Sequence, residues 1–314
     1  MSFRILLRHE AILTLILVVA LAVLAANNER FFTAANLLNQ GRLMTEVGLI
    51  AVPMTFVIIT GGIDLSVGSI LGLSAILVGV FWKWLGLPLP VAMGLSVVVG
   101  TACGIANGVI ITRFRVPPLI ATLATLALFR GLAEGISQAQ SVRGYPKWFF
   151  TLGQGDILGL PTQLWLFAVV ALVGFFVLRF TAFGRAVYAI GNNEAGAAFS
   201  GIDVTRVKLW IYAASGFVSA LAAVVFVSRV STTRSDMGSG IELDVITAVV
   251  LGGTSIFGGR GLVVGTLIGL CLVQVLKSGL ALSGVKGDGT IVIIGAVLIA
   301  AVLISNFLSR FTDD

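Results

Sequence analysis

A carboxylate, Asp64, interrupts the apolar stretch IITGGIDLSVGSILGL, where a glycine pair precedes it and a serine follows. Gly61 and Gly62 are suited to end a helix, because glycine adopts the positive-φ conformation of a helix C-terminus without steric cost. Asp64 is suited to begin the next helix, since its side chain can accept hydrogen bonds from the amides of Ser66 or Val67. The motif therefore predicts a break between two helices, with a carboxylate at the break.

Two roles are open for this carboxylate. It caps a helix where the chain meets water, or it lies at a break within a membrane, where non-helical backbone must be buried in protein or line a wet cavity. A charge at the bilayer centre costs about 2.5–3.5 kcal/mol on the insertion scale, whereas a cap recovers only about 1 kcal/mol. A deep position would therefore indicate a function for Asp64, such as a place in a transport path.

The composition is that of an integral membrane protein. The 314 residues are 58% hydrophobic and 11% charged, whereas a soluble domain carries about 25% charged residues. The formal charge of +6 comes from basic residues that are scattered singly along the chain. Such a distribution is typical of orientation in a bilayer and not of a nucleic-acid surface.

Side chains that could support catalysis or bind a metal are sparse. Cys103, Cys271 and the single histidine, His9, have no neighbouring Cys or His, so neither a disulfide nor a metal site is predicted. The pair Lys277–Ser278 lacks the glycines of a phosphate loop. We predict no catalytic residue and no cofactor, and any energy source must come from another chain.

Apolar stretches approach the length of about 20 residues that crosses a bilayer. They predict an all-α polytopic membrane protein with about ten transmembrane helices, some broken or short, in a single domain over residues 1–314. We interpret the first stretch as a retained span, not a cleaved signal peptide, with the N-terminus in the cytoplasm and residues 135–160 as an outer loop. The predicted spans are 11–26, 47–60, 65–82, 88–112, 117–134, 161–178, 207–228, 242–252, 262–277 and 290–308.

The stretch AVVLGGTSIFGGRGLVVGTLIG repeats the order of features around Asp64. An apolar run is followed by Gly252 and Gly253, by a small polar patch with Thr254, and by a new glycine-rich apolar run. Transporters are often built from repeats whose broken helices meet at the substrate site. The alternative is chance similarity among glycine-rich helices, since the chain has 38 glycines. An internal repeat is thus one of two open interpretations.

Polar side chains inside two other apolar stretches have structural interpretations. In GTACGIANGVI, the small residues Gly100, Gly104 and Gly108 favour close helix packing, with Asn107 as the single strong hydrogen-bonding side chain. Arg130 is expected to extend toward a membrane interface.

Residues 179–206 form a polar island between spans. A turn signal at Gly191, Asn192 and Asn193 precedes a short helix of small residues that begins with an acid. An ordinary interhelical loop and a docking element for another protein are both open, the second because a helix without bulky side chains fits a groove.

Three motifs in this order and spacing, GGIDLSVGS, GNNEAGAAFSGI and AVVLGGTSIFGGRGLVVGTLIG, resemble the permease subunits of ribose-type ATP-binding-cassette sugar importers. The resemblance implies a subunit of the bacterial inner membrane that pairs with a second permease copy. It also implies two further partners, a cytoplasmic ATPase and a periplasmic sugar-binding protein. Residues 191–202 match the loop that couples such permeases to the ATPase, although Gly196 interrupts the alanines seen in other importer classes.

The resemblance implies transport by alternating access, driven by ATP hydrolysis in the partner. The candidate residues of the translocation path or gate are Gly61, Gly62, Asp64, Ser66, Asn107, Gly252, Gly253 and Thr254. The candidate residues of the coupling loop are Gly191, Asn192, Asn193, Glu194, Ala197, Ala198, Ser200 and Gly201. The alternative function is an ion-coupled secondary transporter or channel, which would need intramembrane ionisable residues such as Asp64 and Asp244.

Overall fold

The computed structural model describes residues 14–15, 17–22, 31–285 and 287–310, and these ranges are mostly helical. The helices after residue 31 are α1 Ala34–Ile59, α2 Val67–Gly79, α3 Leu89–Arg113, α4 Pro118–Ser137, α5 Thr151–Gln154, α6 Thr162–Phe180, α7 Ala182–Asn192, α8 Glu194–Phe199, α9 Val204–Val230, α10 Ile241–Leu251, α11 Val263–Leu282 and α12 Gly287–Arg310. A π-helical turn, Val80–Trp84, extends α2, and a 3-10 turn, Lys147–Phe150, precedes α5.

Two short antiparallel strand pairs lie at one end of the helix bundle. β1 (Val142–Arg143) pairs with β4 (Thr232–Thr233), and β2 (Asp156–Ile157) pairs with β3 (Leu160–Pro161). α6 starts beside β3 at this end and crosses the bundle, since a helix rises by about 1.5 Å per residue. α7 and α8, which follow α6, therefore lie at the other end. We call these the hairpin end and the polar-loop end, where the polar loop is residues 181–203.

Seven of the described helices, counting α2 with its π-helical turn, are long and apolar enough to cross a membrane. The prediction of an all-α polytopic membrane protein is therefore confirmed. The predicted span 242–252 corresponds to α10, which has only 11 residues, and 290–308 lies within α12. The span 11–26 lies largely outside the described residues, so the total of ten stays a prediction.

The first helix of the bundle begins earlier than predicted. The sequence placed a span at 47–60, which is wrong, because α1 begins at Ala34 with the hydroxyl of Thr33 accepting a hydrogen bond from Asn36 N. The polar residues in its first half have partners. Glu46 is buried and pairs with Arg229 Nε at 2.7 Å. A helix can therefore continue through a stretch that looks too polar to span a membrane.

The core lies around α1, α2 and α9, which are buried along most of their length, whereas α3, α4 and α6 each expose an apolar face. α3 and α9 approach closely at glycines. A Cβ on Gly100 would lie 2.5 Å from Ala220 Cβ, and one on Gly216 would lie 2.8 Å from Gly104 Cα. The predicted packing role of the small residues is confirmed.

Candidate functional site: the junction of two helix breaks

The break after α1 forms as the glycine pair predicts. Thr60 ends the helix, and Gly61 has a φ of +76°. The amide of Gly61 donates to Ile58 O at 2.9 Å and the amide of Gly62 donates to Val57 O at 3.0 Å. This pair of bonds is the Schellman arrangement, which satisfies the last carbonyls of a helix. Residues 60–66 then lead to α2, and we call them the linker.

Asp64 is fully buried and holds the linker through hydrogen bonds. Its Oδ1 accepts from Ser66 N at 3.0 Å and from Ser66 Oγ at 2.6 Å, while Oδ2 accepts from Ser215 Oγ of α9 at 2.9 Å. Asn107 Nδ2 of α3 donates to Ser66 Oγ at 2.7 Å. The predicted bond to the Ser66 amide is confirmed. We call Asp64, Ser66, Asn107 and Ser215 the Asp64 cluster.

The linker has further contacts with neighbouring helices. Thr122 Oγ1 of α4 donates to Ile63 O at 3.0 Å. Tyr212 Oη of α9 is buried without a hydrogen-bond partner among the described residues, and it would lie 2.7 Å from a Cβ on Gly62. None of the ion pairs in the described part of the chain involves Asp64. The carboxylate therefore fixes the shape of the break through neutral donors.

The break after α10 has the same local geometry. Gly253 has a φ of +88° and donates to Val250 O at 2.9 Å, and Thr254 N donates to Val249 O at 3.2 Å. Gly252 packs against α11, where a Cβ on it would lie 2.7 Å from Thr266 N. Both predicted glycine pairs thus end a helix.

The structure brings the two breaks into contact with each other. Gly259 N, in the segment after α10, donates to Ile59 O at the end of α1 with a distance of 2.9 Å. A Cβ on Gly258 would lie 3.0 Å from the same oxygen and 3.1 Å from Gly61 N. Glycine is needed because both residues have positive φ and lie against backbone atoms.

The polar loop contacts the same point. A Cβ on Gly191 would overlap Ile59 O and lie 2.5 Å from Gly259 N. Tyr188 Oη of α7 donates to Gly261 O at 2.6 Å. Three motifs that are far apart in the sequence therefore meet at one place, which we call the junction. Gly258, Gly259 and Tyr188 were not among the predicted site residues.

The polar loop itself is structured. Asn193 Oδ1 accepts from Gly196 N at 2.8 Å, so Asn193 caps the predicted short helix, α8. Glu194 in its first turn pairs with Lys208 Nζ at 2.7 Å. Ser200 and Gly201 are exposed, whereas Ala197 is buried. The prediction of a short helix with an acid in its first turn is confirmed.

Arg130 has hydrogen-bond partners within the chain, and its extension toward a membrane interface stays a prediction. Its guanidinium donates to Ser235 O at 2.6 Å, to Met237 O at 2.9 Å and to Gly68 O at 3.4 Å. These carbonyls belong to residues 231–240, which we call the α9–α10 segment, and to the first turn of α2. Arg130 therefore holds this segment against α2, because free carbonyls in an apolar interior need donors.

The fold and the junction together define a multi-pass helical membrane protein whose helix breaks contact a structured polar loop. Residues 33–302 match the family described as branched-chain amino acid transport system / permease component. The chain belongs to this family and is a permease subunit of a transport system.

Three relatives match nearly the whole chain. The ribose import permease protein of Bacillus subtilis is 43% identical over 93% of this chain and 90% of its own. The ribose import permease protein of Haemophilus influenzae is 38% identical over 93% and 91%. The autoinducer 2 import system permease protein of Escherichia coli is 38% identical over 94% and 91%. No solved structure matches the chain.

Proposed function

We propose that the chain forms the translocation path of an ATP-binding-cassette importer for a sugar or sugar-like solute in a bacterial inner membrane. The observation that carries the proposal is the near-complete match to permeases of ribose and autoinducer 2 import. The family description mentions branched-chain amino acids, but the relatives favour a sugar. A periplasmic binding protein delivers the solute, a cytoplasmic ATPase supplies the energy, and a second permease copy completes the path.

The junction supports a direct route from the ATPase to the gate. Gly191 begins the coupling residues of the polar loop and is packed against Ile59 O and Gly259 N. A displacement of the loop by ATP-driven closure of the partner would therefore move the end of α1 and the segment after α10 without intermediate elements. We infer that the two breaks are the hinges of the gate.

The Asp64 cluster has a supporting role in this proposal. Asp64, Ser66 and Asn107 are buried and bonded to one another, so they hold the linker in shape and do not contact solute in this conformation. Thr254 is also buried. A path with few polar side chains suits a permease, because tight binding of the solute would slow its release.

The finer architecture is also a proposal. We infer ten spans with an internal repeat, in which the breaks after α1 and α10 correspond through their matching C-terminal hydrogen bonds. The first turns of α2 and α10 also contact each other, since a Cβ on Gly68 would lie 3.1 Å from Ile241 Cγ2. Inverted repeats often meet at such discontinuous helices.

An ion-coupled secondary transporter is the second candidate function. It is favoured by intramembrane ion pairs, which commonly mark ion pathways. Asp244 pairs with Lys277 at 2.5 Å, and Glu46 pairs with Arg229 at 2.7 Å. Each charge is neutralised by its partner, however, which also suits a structural role.

ATP hydrolysis by the assembled complex tests the proposal. The permease, its ATPase and its binding protein would be reconstituted in nanodiscs and exposed to ribose, other pentoses, hexoses and autoinducer 2. We expect one solute class to stimulate hydrolysis through its binding protein. Stimulation by branched-chain amino acids and by no sugar would contradict the proposed substrate.

A further inference from the structure

Phe199 is the most exposed large apolar side chain in the described part of the chain, with 94% of its surface accessible. It is the last residue of α8, and the neighbouring Ala195 and Ala198 are exposed as well. The outer face of α8 is thus one aromatic ring on a surface of small residues. The ring contributes nothing to the core of this chain, although burying such a side chain is worth about 1.5–3 kcal/mol.

The backbone that carries Phe199 is held firmly. Gly201 has a φ of +86° and donates to Ala198 O at 3.0 Å, while Ile202 N donates to Ala197 O at 3.1 Å. This is again the Schellman arrangement, and it ends α8 immediately after the ring. The cap at Asn193 closes the other end of the helix. A preorganised loop loses little conformational entropy on binding.

The surroundings favour a protein partner over the lipid bilayer. Four polar residues in or beside α8 are exposed, namely Asn192, Asn193, Glu194 and Ser200. Such polar groups belong in water or in a protein interface. Aromatic residues, Phe included, are enriched in the cores of protein interfaces, where an anchor fills a desolvated pocket on the partner within a ring of contacts that contribute little energy.

We propose that Phe199 anchors the polar loop in an apolar pocket of the cytoplasmic ATP-binding subunit, with Ala195 and Ala198 packed against the rim of that pocket. The inference rests on the proposed function, because that function supplies the partner. It adds the residue on which the affinity depends and the chemistry of the surface that receives it.

A titration of the purified permease in nanodiscs with the ATP-binding subunit of its own transport system tests the anchor. We expect Phe199→Ala to weaken binding at least about tenfold, as loss of an interface anchor does, Phe199→Asp to abolish it, and Phe199→Leu to remain near wild type. The matched control is Leu158→Ala, because Leu158 is 88% exposed at the hairpin end. It should bind like wild type.

The possible outcomes separate the anchor from the function on which it rests. Since Phe199 packs against no core, the variants should keep the melting temperature of the wild type. If the wild type binds and Phe199→Ala and Phe199→Asp bind equally well, the anchor is overturned. If the wild-type permease itself does not bind the ATP-binding subunit, the proposed function and the anchor both fail.

Discussion

At the scale of single residues, Asp64 connects the linker to α2, α3 and α9 through the Asp64 cluster. Asp64→Ala would leave the buried donors of Ser66 and Ser215 without partners, at about 1–3 kcal/mol for each. We therefore expect a lower melting temperature in detergent together with reduced uptake. Asp64→Asn, which keeps an acceptor oxygen, should lie between Ala and wild type.

The control for Asp64 is Asp236→Ala, which removes an exposed carboxylate that pairs with Arg234. Exposed pairs contribute about 0–1 kcal/mol, so little change is expected. If Asp64→Ala kept the melting temperature of the wild type and lost uptake, the carboxylate would belong in the transport path and not in a structural cluster.

Gly62 makes a second prediction at this scale, because of its contact with Tyr212. A Cβ on Gly62 would lie 2.7 Å from Tyr212 Oη, and overpacking of this kind costs about 1–3 kcal/mol. Gly62→Ala should lower the melting temperature. Tyr212→Phe removes the clashing oxygen, which has no hydrogen-bond partner in the described residues, so the double variant should recover most of the loss. A double variant as unstable as Gly62→Ala would refute this contact.

The hydrogen bond between Ser66 and Asp64 could be predicted from the sequence, whereas the bonds of the Asp64 cluster to α3 and α9 could not. The bond from Ser66 N to Asp64 joins residues two positions apart, which a capping pattern describes. Ser215 lies 151 positions away, and isolated serines in apolar helices carry no signal for their partner. The burial of Asp64, which decides its role, depends on helices that lie far from it in the sequence.

At the scale of elements, the junction joins the polar loop to α1 and to the segment after α10. Gly191→Ala would force a methyl group into Ile59 O, a backbone atom that cannot rotate away. We expect a loss of about 3 kcal/mol, the upper end of overpacking costs, and uncoupling of ATP hydrolysis from uptake. The loss of stability is measured as a lower melting temperature, and the uncoupling as more ATP consumed per solute imported.

Gly131→Ala is the matched control for Gly191, because Gly131 lies in α4 with nothing within 4 Å of its Cβ position. Alanine in a helix is favoured over glycine by about 1 kcal/mol, so this variant should be neutral or slightly more stable. If Gly191→Ala behaved in the same way, the contact between the loop and the helix breaks would not exist as described.

Arg130 makes the second prediction at the scale of elements. Arg130→Ala removes the donors to three carbonyls of the α9–α10 segment and α2, and bonds to a charged group contribute about 1.5–3 kcal/mol. Hydrogen exchange of residues 231–240 should therefore become faster. Arg130→Lys should give partial protection, because an ammonium group cannot serve all three acceptors in one plane. Unchanged exchange in Arg130→Ala would contradict this role.

Element boundaries were predictable where glycine and proline mark them. Gly61 and Gly253 end α1 and α10, and Pro118 begins α4. The start of α1 was missed, since Gln40 and Glu46 make the first half look unsuited to a membrane, and their partners Gln274 and Arg229 lie far along the chain. The partners of Arg130 were not predicted for the same reason.

At the scale of the whole molecule, composition alone predicts a helical membrane protein, and three motifs together predict the family. The meeting of these motifs at the junction could not be predicted, because it depends on how the ends of α1 and α7 pack against the segment after α10. In the proposed function, a partner ATPase moves the helix breaks of this permease through the polar loop.

Uptake into proteoliposomes tests this account most directly. The vesicles would contain the permease with its ATP-binding subunit, and the solute would be the radiolabelled sugar that stimulates ATP hydrolysis, added with the binding protein. The account predicts accumulation that requires ATP and the binding protein and that persists when ionophores collapse all ion gradients. Accumulation by the permease alone, independent of ATP and abolished by an ionophore, would contradict it.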